Sequence, residues 1–227
     1  MKTIVRFALA LQFIGTAIAG DDSAPMTPDA SSAALASQNK VFKSAAKELD
    51  SLSESNDSND YERLKALAGR IGEVQIQLWK VNKDAFKSQR EQVMRLWLRV
   101  LAVVSHRMDP RFDPTDAPPI NIQPPPTLYP VSGMAPEGIK DPKMRREYTQ
   151  ALQKNREKAQ HHTLQTELRE LRDLLIMRYI FPITRQCFRL DDPEAYKELE
   201  KLMKEELNDE ELREWLTKRL EEMDAKY

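Results

Sequence analysis

Two adjacent histidines are the side chains of this sequence whose spacing comes closest to that of a metal site. Glu157, His161 and Gln165 follow one another at four-residue steps, which places them on one face of a helix, and His162 stands beside them. A catalytic zinc needs three protein ligands, and di-metal bundles pair Glu-x-x-His motifs on facing helices; the sequence has no HExxH motif and no second ExxH. We therefore predict no metal site, and interpret the histidines as solvent-facing or interfacial.

Cys187 is the single cysteine, so the chain cannot form an internal disulfide. No histidine stands near it in the sequence to activate the thiol. We expect a buried thiol that packs as a small apolar residue, and a disulfide between two chains is the alternative.

The common motifs of enzymes and nucleotide-binding proteins are missing. The chain has 6 glycines and no glycine cluster, so no phosphate-cradling loop or serine nucleophile elbow is present. The carboxylates of "KEELNDEEL" at 204–212 are typical of the solvent-exposed side of short helices. We predict no catalytic and no cofactor-binding residues, which makes an enzyme the least favoured class of function.

The N-terminus is typical of an export signal. Lys2 and Arg6 precede the apolar run "FALALQFIGTAIA", and Ala17 and Ala19 stand at the small-residue positions of a cleavage site. We expect a signal peptide at 1–19, a flexible tether at 20–32, and a mature chain that is periplasmic or secreted. The run is too short for a membrane anchor, so we expect no integral membrane segment after its removal.

The charge of the chain is nearly balanced. The formal net charge is −1, and removing Lys2 and Arg6 makes it −3. So small a net charge creates no field that would recruit nucleic acid, and we predict no nucleic-acid partner.

Apolar residues at three- and four-residue steps predict an N-terminal helical region at 33–108. One helix begins near Ala33, and a longer one runs from Asp60 to about Met108, with Asn59 and Glu62 as its capping box. The long helix has a coiled-coil-like heptad seam whose phase slips after Ala85, which predicts a bend at 82–89, or two helices.

A C-terminal helical region is predicted at 142–227. Asp141 caps a long helix with Pro142 at its first position, and Pro182 ends that helix near Tyr179. Two short helices follow, capped by Asp192 and Asn208, and form a small hairpin.

A proline-rich segment at 109–141 separates the two helical regions. The residues from Pro110 to Pro142 hold 10 of the 14 prolines, so no regular helix can cross them. An extended segment of this length reaches about 100 Å, enough to run back along a bundle and start the second long helix beside Asp60, in parallel. Its apolar residues would hold such a strap down; a disordered spacer is the alternative. They are Ile120, Ile122, Leu128, Tyr129, Val131, Met134 and Ile139.

The segment "SGMAPEGIKDPKMRREYTQALQKNREKA", residues 132–159, resembles a stretch of uncharacterised exported bacterial helical proteins that share an SGMxPExIxDPxxRxxY-like pattern. The resemblance covers under a fifth of the chain. It implies an exported bacterial protein whose linker and long helix form one unit, and it carries no activity or functional residue.

These observations predict an elongated all-α bundle of long, coiled-coil-like helices with an extended strap. The favoured function is that of a non-enzymatic scaffold or protein-interaction protein of the cell envelope, with a protein partner or self-association. The alternative is a binding module for a small molecule or an envelope polymer, in a groove between strap and helices. Trp97, Tyr129 and Tyr148 are the candidate contact residues, since aromatic side chains offer large contact areas.

Overall fold

The structure is a computed structural model that describes residues 28–55, 60–81, 83–113 and 141–226, and every regular element among them is helical. The predicted all-α class is thereby confirmed. In chain order the elements are α1 (Pro28–Glu54), α2 (Asp60–Val81), α3 (Lys83–His106), α4 (Pro142–Leu175), π1 (Ile176–Ile180), α5 (Phe181–Ile183), π2 (Thr184–Phe188), α6 (Pro193–Glu206) and α7 (Glu210–Asp224). The predicted signal peptide and residues 114–140 of the predicted strap lie outside the described residues.

The helix α1 begins at Pro28, inside the stretch that the sequence predicts as a tether. From Ser37 onward it belongs to the same compact unit as the helices that follow. It buries one side, and Arg99 of α3 binds Asp50 on the other. The buried residues are the periodic ones that predict the helix: Phe42, Ala45, Leu49 and Leu52.

The helices α2 and α3 form an antiparallel pair, and the chain reverses between Val81 and Lys83, at the start of the predicted 82–89 interruption. Near the reversal, the indole Nε1 of Trp97 donates a hydrogen bond of 2.6 Å to Oε1 of Gln75. At the far end, Arg107 lies 2.9 Å from Asp60. The variant with two helices is therefore confirmed. Of the seam residues whose burial is described, Val103 is half-buried, and the others are buried: Leu64, Leu67, Ile71, Val74, Leu78, Val93, Leu96 and Val100.

The helix α4 runs parallel to α2 and antiparallel to α3. Tyr179, just beyond α4, stacks on Trp97 with ring centroids 4.3 Å apart, and its ring lies against Gly72. At the other end of the contact, Gln165 binds the backbone N–H of Asp109 at 2.7 Å. A stacked aromatic pair contributes about 0.5–1.5 kcal/mol beyond its buried area.

The register of α4 differs from the prediction. The long helices are parallel, as expected, but Asp141 does not lie beside Asp60, because the residues of α4 whose charges act on Tyr61 are Glu167 and Glu170. The helix therefore starts about 25 residues, or about 37 Å, before the level of α2. Since α2 and α3 are already antiparallel, a parallel α4 needs no strap along the whole bundle.

Pro182 does not end the helical path, contrary to the prediction. The backbone stays helical to Phe188 through two π turns, one on each side of α5. In π1 the N–H of Phe181 donates to the carbonyl of Ile176, five residues earlier. A proline ring clashes with the carbonyl four residues before it in an α-helix, and the wider turn changes which carbonyl stands there.

The predicted C-terminal hairpin consists of α6 and α7. Asp141 and Asp192 cap their helices as predicted, each accepting a hydrogen bond from the backbone N–H two residues later. The cap of α7 is Asp209 and not the predicted Asn208. Arg95 of α3 binds Glu205 and Glu206 of α6 at 2.6 and 2.7 Å, which fastens the hairpin to the bundle.

Candidate interaction surface

The first six turns of α4, residues 142–163, extend past the ends of α2 and α3, and we call them the arm. The carbonyl of Arg107, just beyond α3, accepts a hydrogen bond from Gln165, and Tyr61 of α2 lies near Glu167. Residues before Gln165 therefore continue beyond the packed helices. The structure describes the arm throughout, and no arm side chain is buried.

The arm is strongly basic in a chain of nearly balanced charge. Its six basic residues outnumber its two acidic ones, which gives +4 with both histidines neutral. The basic residues are Lys143, Arg145, Arg146, Lys154, Arg156 and Lys158, and the acidic ones are Glu147 and Glu157. An exposed basic helix attracts an acidic surface and does so less as salt screens it.

Arg107, just beyond α3, binds the end of α1 and the start of α2. Its Nη2 lies 2.6 Å from the carbonyl of Leu52, 2.9 Å from that of Ser55 and 2.9 Å from Asp60. The Asp60 side chain has no exposed area and also binds Arg63 at 3.0 Å. A buried carboxylate at a helix N-terminus with two arginine partners is a structural ion pair and not a group free for chemistry.

Gln165 and Arg169 hold the chain that leaves α3. The side chain of Gln165 is 4% exposed, accepts from the N–H of Asp109 and donates to the carbonyl of Arg107 at 3.2 Å. Arg169 donates to the carbonyl of Phe112 and its guanidinium lies 5.1 Å from that ring. These contacts dock the first residues of the proline-rich segment on α4.

We call these contacts between α4 and the chain that leaves α3 the junction. The sequence analysis did not predict the junction, although one residue pattern indicated it. Gln165 stands three residues before Leu168 and six before Leu171, on the side of α4 that packs into the bundle. A polar residue on a buried side must find hydrogen-bond partners, and here the backbone leaving α3 supplies both.

Two of the three candidate contact residues lie in different places. Trp97 has no exposed area and contacts Tyr179, whereas Tyr148 is half-buried on the arm. Tyr148 and Tyr179 are 31 residues apart, about 46 Å of helix. Trp97 and Tyr148 therefore lie far apart, and Tyr129 lies outside the described residues, so the role of the three as contact residues stays a prediction.

The histidines lie at the junction. Nε2 of His161 is 3.8 Å from Asp109, and the ring of His162 meets Phe112 edge-on with centroids 5.0 Å apart. Within the described ranges, no group of three His, Cys, Asp or Glu side chains is placed to hold a metal ion. The structure thus gives both histidines interfacial contacts, one of the two positions expected for them.

Cys187 is buried, as predicted. The guanidinium of Arg90 donates to its carbonyl at 3.1 Å and lies 5.2 Å from the ring of Phe188. Thr184, one turn earlier, has no exposed area, and its hydroxyl has no hydrogen-bond partner. The described part of π2 is thus a packed element of the core.

A shallow groove of about 320 Å³ runs between α6 and α7. Three acidic and three basic side chains line it, so neither sign of ligand charge is favoured. Its lining consists of Glu200, Met203, Lys204, Arg213, Glu214, Thr217, Lys218 and Glu221.

Comparisons with protein-family models, with curated proteins and with solved structures found no match for this chain. The resemblance of residues 132–159 to exported bacterial proteins therefore stays a prediction. Among the described helices, none is both long and apolar enough to cross a membrane.

Proposed function

We propose that this chain is an exported, non-enzymatic protein that works by binding another protein, and that the arm is its contact surface. One observation carries the proposal: residues 142–163 extend past the packed helices without a buried side chain. A helix of about six turns is marginal in water by itself, so an exposed one is a costly feature unless something uses its surface.

The charge of the arm supports a partner with an acidic surface. The excess of four positive charges is concentrated in 22 residues, whereas the whole chain carries −1. Complementary charge mainly raises the association rate and selects the partner. The buried polar groups support a non-enzymatic role, because they hold parts of the chain together. Asp60 binds the side chain of Arg107, and Gln165 binds the backbone of Asp109.

Site-specific photo-cross-linking in the native cells tests the proposal. The cross-linking residue replaces Gln153 on the arm, and the control replaces Lys201 on α6, which is also exposed. We expect a protein adduct from position 153 that position 201 does not give, and a weaker one when Lys154→Glu and Lys158→Glu are added. No adduct at position 153, equal adducts at both positions, or an adduct with nucleic acid would contradict the proposal.

A further inference from the structure

One side of the arm is shielded more than the rest. Between Asp141 and Thr163, all of which the structure describes, five residues are half-buried and every other residue is exposed. With the 39%-exposed Leu152 they follow one another at steps of three and four. They form the outer stripe, which comprises Met144, Tyr148, Leu152, Asn155, Ala159 and His162.

The bundle cannot cover the outer stripe. The buried side of α4 begins at Gln165 and continues through Leu168. Ala159 precedes Leu168 by nine residues, which is about two and a half helical turns, so the two lie on opposite sides of the helix. Whatever covers the stripe comes from outside the packed helices.

The proline-rich segment leaves and rejoins the described structure at the two ends of this stripe. Phe112 packs against His162, the last residue of the stripe. Asp141 caps the helix three residues before Met144, the first. The 27 residues between Asp113 and Asp141 therefore connect one end of the stripe to the other.

The segment is long enough and apolar enough to lie on the stripe. From residue 144 to 162 the stripe is about 27 Å long. Residues 114–140 extend to about 84 Å, so they span it with slack for turns. They carry seven large apolar residues and three charged ones, Asp116, Glu137 and Lys140.

We propose that residues 114–140 lie along the outer stripe of the arm, antiparallel to α4, with their apolar side chains against Tyr148 and Leu152. A segment attached at both ends has an effective concentration in the millimolar range, which favours it over a second copy at micromolar concentration. Prolines reduce the chain entropy that is lost on docking. The basic residues outside the stripe then remain available to a partner.

Hydroxyl-radical footprinting of the full chain tests this docking. Replacing residues 114–140 by a Gly/Ser segment of equal length should raise the oxidation rate of Tyr148 several-fold and leave Trp215 of α7 unchanged. Thermal unfolding followed by circular dichroism shows whether the replaced chain still folds.

Point variants test the same docking if the chain with the replaced segment does not fold. Tyr148→Ala with Leu152→Ala should raise the oxidation rate of Tyr129 several-fold, whereas the control pair Thr149→Ala with Gln153→Ala should not. Equal effects of the two pairs would overturn the proposal. So would protection of Tyr148 that is lost when the unmodified protein is diluted, because a second copy would then be the cover.

Discussion

At the scale of residues, close packing around Tyr179 sets the distance between α2 and α4. The Tyr179 ring lies flat on Trp97, with an interplanar angle of 10°. Its other neighbour is Gly72, where an added Cβ would stand 2.6 Å from the ring. Only a glycine fits this position, because the stacked ring has no room to move away.

Gly72→Ala should lower the free energy of unfolding by about 1–3 kcal/mol, the usual cost of overpacking. Gly69→Ala is the matched control, since nothing lies within 4 Å of its added Cβ. That control should be stabilising by about 0.5–1 kcal/mol, because alanine favours a helix more than glycine does. Urea denaturation measures both, and equal effects of the two variants would contradict the packing described.

Arg107→Met should lower the free energy of unfolding by about 3 kcal/mol, because it takes a partner from a buried carboxylate. Asp60 has no exposed area, whereas the side chain of Arg63, its other partner, is 42% exposed. Arg63→Met should therefore cost less than about 1 kcal/mol. Urea denaturation of both variants compares them, and a larger cost at Arg63 would show that Arg107 is not the main partner.

Burial, and then the charges of Glu167, Glu62 and Glu170, raise the pKa of Tyr61 to about 12. An unfolded tyrosine titrates near pH 10, so between about pH 10 and 12 the unfolded chain loses a proton that the folded chain keeps. The free energy of unfolding should fall as pH rises through this window. Tyr61→Phe should make the fall less steep, with the lysines titrating equally in both proteins; urea midpoints that fall equally in both would contradict this.

At the scale of elements, periodicity and caps predicted most of the helices. The buried sides of α1 and α2 follow the apolar steps, and Asp141 and Asp192 cap where a proline follows them. The predicted cap at Asn208 was wrong because Asp209, one residue later, is an equally good cap. The predicted helix end at Pro182 was wrong because the π turns on both sides accommodate a proline. The sequence alone gave no sign of these π turns.

The cap of α7 can be tested directly. Asp209→Ala should lower the free energy of unfolding by about 1 kcal/mol, since its carboxylate accepts from the N–H of Leu212 at 3.2 Å. Asn208→Ala should change it by less than about 0.5 kcal/mol, as is usual for an exposed residue. Thermal unfolding of both variants decides between the caps, and a larger effect at Asn208 would restore the original prediction.

At the scale of the whole molecule, the net charge of the chain did not reveal that positive charge is concentrated in the arm. The formal net charge of −1 gave no sign of a basic arm at 142–163, because acidic residues elsewhere balance it. Residues 193–226, for example, carry seven basic and twelve acidic residues, or −5. The arm could not be predicted because it depends on the reversal between α2 and α3. The heptad phase left open whether the chain bends there or forms two helices.

The register of α4 is the central claim, because it alone places the arm beyond the bundle. Spin labels at Gln77→Cys and Gln150→Cys, in a Cys187→Ala background, measure it by double electron–electron resonance. Gly72 lies level with Tyr179, so Gln77 lies near the level of Thr184, and the labels should be about 50 Å apart. A distance below about 25 Å would place the start of α4 beside α2, and the arm would not exist.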